Sequence, residues 1–510
     1  MSELRAFKVT NLRSIKDSGW VQLKPLTLLV GANSSGKSTL LRLFPLLKQS
    51  VLQPTQGPML WYDENFVDFG GFNEALNSRA KEKVIELGFE MRLQEGAGRR
   101  IPLLALAKRL SDGSQPPQDD VRVTIHLTPE SKDDDRTRLK LIRVQARWGD
   151  VELPLEGGYF TRIKVGEDDQ GLPEQLRPFL VADGKLILSS MRSGTLMRHF
   201  LEDVVEALRA LAHKNTGRDS LLSAAMELWM DSIEGLKVQL KDSSLPSLNG
   251  KEHDEGSLRR LSDALIRRDI WGVLGEADAQ LSSYARQIAY LRPFRDDPRR
   301  SYRHQDLKID SINPTGANLA MFLRSLSASD KKGFDEWTQA KFGFKVSVRS
   351  RDGSTSLRIE RDGEEHNLID MGYGFSQVLP VIAQLWMPTR SLEFTRRRRA
   401  MPNSTICIEQ PELHLHPGMQ RQLARAIGSV VARGRALGEQ GARTPLIVET
   451  HSQSILLEIG RMVGAGELHP NDVQVLFFER RRGEDTVVKT FAYDEEGVLP
   501  EAWPFGFLES

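Results

Sequence analysis

Apolar and polar residues change their period several times along the 510-residue chain. Leu4 to Val9 reads as a short strand, and Leu26 to Val30 is an apolar run that ends in a glycine loop. Leu40 to Leu47 has helical character, with Pro45 expected to bend or end it. From about residue 84 to 165 the period is two: Val121, Val123, Ile125 and Leu127 alternate with polar residues, and a second run covers Leu139 to Trp148. The polar stretches 111–120 and 129–136 read as the loops of an antiparallel sheet with one wet face. From about residue 194 the period turns helical, with Leu201, Val204, Val205, Leu208 and Leu211 on one face. Further helices are predicted near 219–240 and 257–288, broken by the loop at 243–256 and too weakly heptad-like for a long coiled coil. A β pattern returns at Phe342, Phe344, Val346 and Val348, and again at Leu357 and Ile359. The last third alternates strand and helix, which suits a parallel sheet closing onto the first strands.

Composition narrows the class. Lys plus Arg (70) against Asp plus Glu (69) excludes a globally basic nucleic-acid coat, but not a local basic patch. A single cysteine, Cys407, excludes a disulfide framework or a multi-Cys metal site and fits a buried place in its strand. The charged N-terminus lacks the apolar core of a signal peptide, and no apolar run approaches the roughly 20 residues of a membrane span. A cytoplasmic protein with no membrane contact is expected.

The strongest chemical signal is Gly31-Ala-Asn-Ser-Ser-Gly36-Lys37-Ser38, which follows a predicted strand and precedes a predicted helix. In that context glycines let backbone N–H groups wrap phosphates, Lys37 sets a positive charge beside the β/γ oxygens, and Ser38 ligates Mg²⁺. The expected contacts of ATP are Gly31, Asn33, Ser34, Ser35, Gly36, Lys37, Ser38 and Thr39. The apolar run Ile406-Cys407-Ile408 delivers Glu409 at its end, followed by Gln410, Pro411, Glu412, Leu413, His414, Leu415, His416 and Pro417. Ligands of α/β sheets bind at such strand ends, so Glu409 is placed to hold Mg²⁺. A third apolar run, Leu446 to Val448, leads through Glu449 and Thr450 to His451, which could reach a γ-phosphate. Between residues 370 and 380, Gly372, Gly374, Ser376 and Gln377 open a helix. Weaker signals are Arg13, Gln49, the half metal site His414/His416, and the basic runs 396–399 and 480–482, which could meet DNA or RNA phosphates.

Taken in order, these elements resemble the ATPase head of the ABC superfamily, in its soluble SMC-, RecF- and OLD-like branch. The likeness is nearest to bacterial "AAA family" ATPases whose acidic strand reads Glu-Gln-Pro-Glu-x-His-Leu-His-Pro. Tyr290 to Arg295 and Trp503-Pro504-Phe505-Gly506-Phe507 resemble two further segments of that group. Standalone members of this look include ATPase subunits of the PARIS, Septu and retron-associated antiphage systems. The resemblance implies an α/β fold: an ABC-type P-loop head with a mixed central sheet, an antiparallel β subdomain and a helical insertion. Its expected parts are residues 1–175 and 291–510 for the head and 176–290 for the insertion, the place where a partner would dock. It also implies that Glu409 is the Walker B acid, His451 the switch histidine, and Gly374, Ser376 and Gln377 the signature that meets a partner's ATP. Two heads would then pair head to head, as a dimer or a higher homo-oligomer.

One departure carries weight. Most of that superfamily has a catalytic glutamate after the Walker B acid, where this chain has Gln410. A neutral amide can orient a water but cannot accept its proton, so slow ATP hydrolysis is expected, with Glu412 as the substitute and His451 helping to place the water. The implied role is a sensor or scaffold that controls a separate effector, a nuclease or toxin, in antiphage defence. The alternatives are a RecF- or SMC-like DNA-repair ATPase, or an ATP-held scaffold with negligible turnover.

Overall fold

The computed structural model describes residues 3–93, 120–131, 134–179, 193–243, 245, 248, 253–303, 309–389, 405–436 and 444–500. The arginine run 396–399, the Trp503–Phe507 segment and most of the loop 111–120 lie outside these residues.

A six-stranded central sheet carries the candidate residues. Its order is Ala289–Leu291, Ile406–Glu409, Leu446–Glu449, Leu26–Gly31, Val473–Glu479, Val487–Phe491, all parallel except for the last, antiparallel pair. Near-continuous apolar sequence is what parallel strands covered on both faces require. Alternate side chains enter two separate cores: Leu29, Cys407, Ile447 and Leu476 join one, while Leu28, Ile408, Val448 and Val475 join the other. Each such buried side chain contributes roughly 1.5–3 kcal/mol of transfer free energy. The register aligns Glu409 with Glu449, and Glu449 with Leu29, so two carboxylates leave the same edge of the sheet beside the glycine loop.

The first core is shared by a ten-stranded antiparallel sheet and the helices Ser193–Leu211, Arg218–Glu227, Ile233–Lys241 and Glu255–Arg286. The helices therefore pack onto the sheet, with Trp271 edge-on to Phe160 at 5.4 Å and stacked on Phe200 at 6.1 Å. The last helix is 32 residues long and starts at Asp254, whose carboxylate accepts from Ser257 N. The second core is completed by the helices Leu319–Ser325, Ala328–Phe342, Tyr373–Trp386, Pro417–Ala436 and Gln453–Gly464 and by a four-stranded antiparallel sheet.

Three local expectations are corrected. The helix at Leu40–Leu47 is two helices, Lys37–Leu41 and Leu43–Leu52, which part at Arg42. Pro45 has no N–H to offer Leu41 O, so the break falls before it and the second helix runs on. The polar stretch 129–136 is mostly strand: Asp120–Ser131 and Asp134–Ala146 pair to Ser131↔Asp134, with a register shift beside Pro129. Its polarity reflects solvent at a hairpin tip, and the proline sits at an irregularity where a missing donor costs little. Phe342 ends a helix, and Gly343 (φ 76°) turns the chain into the strand Lys345–Arg351.

Candidate functional site

The glycine loop joins the strand Leu26–Gly31 to the helix Lys37–Leu41 and lines a cleft of about 650 Å³. Positive φ and close neighbours explain its two glycines, backbone at the first and side chains at the second. A Cβ on Gly31 (φ 145°) would lie 2.4 Å from Phe478 O, and one on Gly36 (φ 102°) 2.8 Å from Ser14 Oγ. Asn33, Ser34, Ser35, Gly36, Lys37, Ser38 and Thr39 all face the cleft. Lys37 is only 3% exposed, and its ammonium donates to Gly31 O (3.0 Å) and Ala32 O (2.7 Å). Burial lowers its pKa, against the opposing pull of Glu449 and Glu412. Ser35 Oγ is buried with no hydrogen-bond partner among the described residues.

At the sheet edge the two strand-end carboxylates have different surroundings. Glu409 Oε1 and Oε2 accept a two-pronged contact from Arg42 Nε and Nη2, each at 2.8 Å, and Oε1 also accepts from Tyr290 OH at 2.6 Å. Glu449 Oε1 accepts from Ser38 Oγ at 2.9 Å, while its Oε2 is buried without a partner among the described residues. Glu449 lines the cleft, and Glu409 is not among the cleft's lining residues. Burial, followed by the charge of Glu409, pushes the Glu449 carboxyl up to about 7. Gln410 adopts a left-handed turn (φ 42°), donates its N–H to Glu449 O at 2.8 Å, and lines the cleft together with His451. Burial and then Lys37 lower the His451 pKa, leaving a neutral imidazole at pH 7.

Glu412 stands behind this edge. Its Oε1 accepts from His451 N at 2.6 Å, and burial raises its pKa. Arg295 runs beneath, 4% exposed, donating from Nη2 to Glu409 O at 3.0 Å; burial brings it down to about 10. Its backbone N–H and C=O are bridged by the Gln377 amide, both at 3.2 Å. Gln377 is thus committed inward, and Ser376 Oγ donates to Tyr373 O. Neither they nor Gly374 line the cleft of this chain. Gly374 lets the helix start approach the acidic-strand loop, since a Cβ there would meet His414 O at 2.7 Å.

A second wall closes the cleft away from the strand edge. Thr486 N donates to Ser14 O and Thr486 Oγ1 to Ser35 O, both at 2.8 Å, clamping the hairpin at 480–486 onto the glycine loop. Arg480 Nη1 donates to Ser34 O at 3.3 Å, so Arg480, alone of the run 480–482, lines the cleft. Asn77, 3% exposed, donates to Asp485 Oδ1 at 3.1 Å, and Arg79 lies 3.7 Å from the same atom. Arg13 faces the cleft while its guanidinium covers Phe69 at 4.5 Å. Gln49 is elsewhere, spent on Leu60 O, Val67 O and Val67 N. Among the described residues no group of three His, Cys, Asp or Glu side chains forms a metal site, His414 and His416 included.

The raised Glu449 pKa has a stability consequence in the ligand-free protein. Its folded-state pKa is about 7 against an ordinary 4.5, so the folded state holds this proton more tightly than the unfolded one. That contribution is full below about pH 4.5 and is lost as the pH rises through about 7. Glu449→Gln removes the titration while keeping an acceptor for Ser38 Oγ. Thermal melts in chelator should show the variant gaining on wild type between about pH 5 and pH 8, by on the order of 2 kcal/mol.

Sequence reasoning missed Glu449, Arg42, Tyr290 and the Asn77–Arg79–Asp485 wall. Glu449 had a signal, since it ends an apolar strand just as Glu409 does. Arg42 lies one helical turn beyond Ser38. Nothing in the sequence links Asn77 to Asp485, which are separated by more than 400 residues.

A family model described as an AAA ATPase domain matches residues 3–96 and 270–456, more than half of the chain. The intervening stretch holds the outer antiparallel strands and most of the helices of the first core. Among solved structures, the SMC head domain of Pyrococcus furiosus with an extended coiled coil, bound to the C-terminal domain of ScpA, is similar at 11% identity. The match covers 96% of this chain and 97% of that one, with a TM-score of 0.35. The SMC head of Thermotoga maritima (8% identity; 96% and 98% covered; TM-score 0.33) and that of Pyrococcus yayanosii with a coiled coil and joint (10%; 98% and 98%; 0.35) are similar too. At such scores these likenesses add nothing to the topology described above. No curated protein matches the chain.

Proposed function

The chain belongs to the AAA ATPase domain family, and on that premise we propose that its cleft holds one ATP with Mg²⁺ and hydrolyses it slowly. The observation that carries this reading is the convergence of Lys37, Ser38, Gln410, Glu449 and His451 on one cleft. Among the described residues Lys37 is held by two carbonyls of the glycine loop and by no ion pair, so it can turn to phosphate oxygens. The oxygen donors at the loop suit Mg²⁺, which takes few protein ligands and completes its shell with phosphates and water. When bound, the ion neutralises charge on the transferring phosphoryl group.

Hydrolysis joins a water oxygen to the γ-phosphorus and breaks the bond to the β,γ-bridging oxygen, releasing ADP and phosphate. The water's proton needs an acceptor. The Gln410 amide orients the water but cannot take the proton. Glu412 Oε1 accepts from His451 N and the residue does not line the cleft, whereas the neutral His451 ring faces the cleft and can accept. Steady-state ATP turnover, with a Lys37 variant as the blank, tests the reading.

The second wall faces the nucleoside end, with Asp485 accepting hydrogen bonds from ribose or base. Asp485→Ala is therefore expected to weaken ATP about tenfold while leaving inorganic tripolyphosphate unchanged. Competition of both against a fluorescent nucleotide checks this, and equal losses would place the nucleoside elsewhere.

We further propose that the helix start at Gly374 and Ser376 serves the ATP of a second copy, as the resemblance to ABC-type heads implies, while Gln377, which the resemblance also places there, is turned inward onto Arg295 and holds that helix start in place. Sedimentation with saturating ATP should then show a dimer or higher homo-oligomer; a persistent monomer speaks against pairing. The likeness of the acidic-strand motif to antiphage ATPase subunits extends the proposal to control of a separate nuclease or toxin. Phage protection that survives Lys37→Ala would remove nucleotide control from that role.

A further inference from the structure

Two carboxylates end neighbouring strands at the cleft, and the motif spacing singles out only Glu409 as the metal-facing acid. The geometry points the other way: we propose that Glu449 is the carboxylate that faces the nucleotide-bound Mg²⁺ and that Glu409 anchors Arg42. This rests on the ATP·Mg²⁺ reading above.

Four observations carry it. The first is strand order. Leu446–Glu449 lies directly beside the glycine-loop strand, while Ile406–Glu409 lies one strand further out. Adjacent strands are roughly 4.8 Å apart, so Glu449 starts one full strand spacing nearer to Ser38. The second is the contact itself, Ser38 Oγ donating to Glu449 Oε1 at 2.9 Å. A hydroxyl that turns its lone pairs to a cation keeps its proton on a neighbouring acceptor, and Glu449 is that acceptor. The third is occupancy. Both Glu409 oxygens are held by Arg42, and Oε1 by Tyr290 as well, whereas Glu449 Oε2 has no partner among the described residues. The fourth is access: Glu449 lines the cleft and Glu409 does not.

Charge bookkeeping agrees. A cation approaching Glu409 would have to displace Arg42 and leave a guanidinium unpaired next to a divalent ion, which low-dielectric surroundings make costly. At Glu449 the ion finds Oε2 with no hydrogen-bond partner among the described residues and no guanidinium to displace, and Lys37 can follow the phosphates. Arg42, fixed on Glu409, keeps a positive charge on the first turn after the loop. Glu409 therefore acts as a positioning residue, holding the helix Lys37–Leu41 and the glycine loop against the sheet edge.

The test uses the full chain, Mn²⁺ and a non-hydrolysable ATP analogue, with free Mn²⁺ read by electron paramagnetic resonance. Glu449→Gln is expected to weaken nucleotide-dependent Mn²⁺ binding by about tenfold or more, and Glu409→Gln by less than about threefold. Binding of the analogue in chelator should be retained in Glu449→Gln, which shows that the loop is intact. If that variant does not fold, Glu449→Asp is the substitute and should still lose several-fold. An equal or larger loss in Glu409→Gln, or none in the Glu449 variants, overturns the assignment. Absence of any nucleotide-dependent Mn²⁺ binding in wild type would instead overturn the ATP·Mg²⁺ reading itself.

Discussion

Lys37→Ala is expected to lower steady-state ATP turnover by ~10²-fold or more, the scale on which one preorganised charge acts at a phosphoryl group. The side chain is buried, its ammonium is held by Gly31 O and Ala32 O, and burial has already lowered its pKa. A desolvated cation aimed into a phosphate-sized loop gains most when an anion arrives. Truncation leaves the two carbonyls facing the incoming phosphates, adding repulsion to the lost attraction. The fold should survive, since neither core contains Lys37 and removing a buried cation relieves a desolvation cost. Turnover by a coupled phosphate-release assay, with melting temperature as the control, separates the two effects. Unchanged turnover would place the chemistry outside this cleft.

Gln410→Glu is expected to change the rate in the opposite direction, raising turnover by ~10²-fold, the usual contribution of a positioned general base. The substitution is nearly isosteric, and the backbone at this position is fixed by its left-handed turn and its bond to Glu449 O. The new carboxylate would stand close to Glu409 and Glu449, so its pKa should be raised by like charge. The gain should therefore grow with pH across the neutral range and add an ascending limb to the pH–rate profile. Turnover that stays at the wild-type level at every pH would mean that the neutral amide does not limit the reaction.

What could be read from the sequence was what is local. The run from Gly31 to Ser38 carries its own turn chemistry, and the apolar runs before it, before Glu409 and before His451 are long enough to identify buried strands. The antiparallel sheet, the helices of the first core and a parallel sheet in the last third followed from changes of period, while the mixed character of the central sheet was implied by the family resemblance. Arrangement in space was less legible. Glu449 looked like a spacer before Thr450 and His451, because its place beside Ser38 depends on which strand lies between the other two. Arg42 falls in a segment read as helix and Tyr290 in one noted only for its resemblance to a family segment, and only the fold brings them onto Glu409. Asn77 and Asp485 meet through a hairpin that clamps the glycine loop, a contact that no period or motif encodes. The polar stretch 129–136 misled for a related reason: Glu130, Ser131 and Arg136 are exposed, and exposed strand residues give the same composition as a loop. The helical break at Arg42 came from Pro45, which leaves the carbonyl of Leu41, four residues before it, without its helical donor.

The most direct test of the account is a calorimetric titration of the full chain with ATP and Mg²⁺, with Lys37→Ala as the blank. One ATP per chain, bound more tightly with Mg²⁺ than in chelator and lost in the variant, is the predicted result. Binding that is equally tight in Lys37→Ala, or no binding to wild type at all, would contradict it.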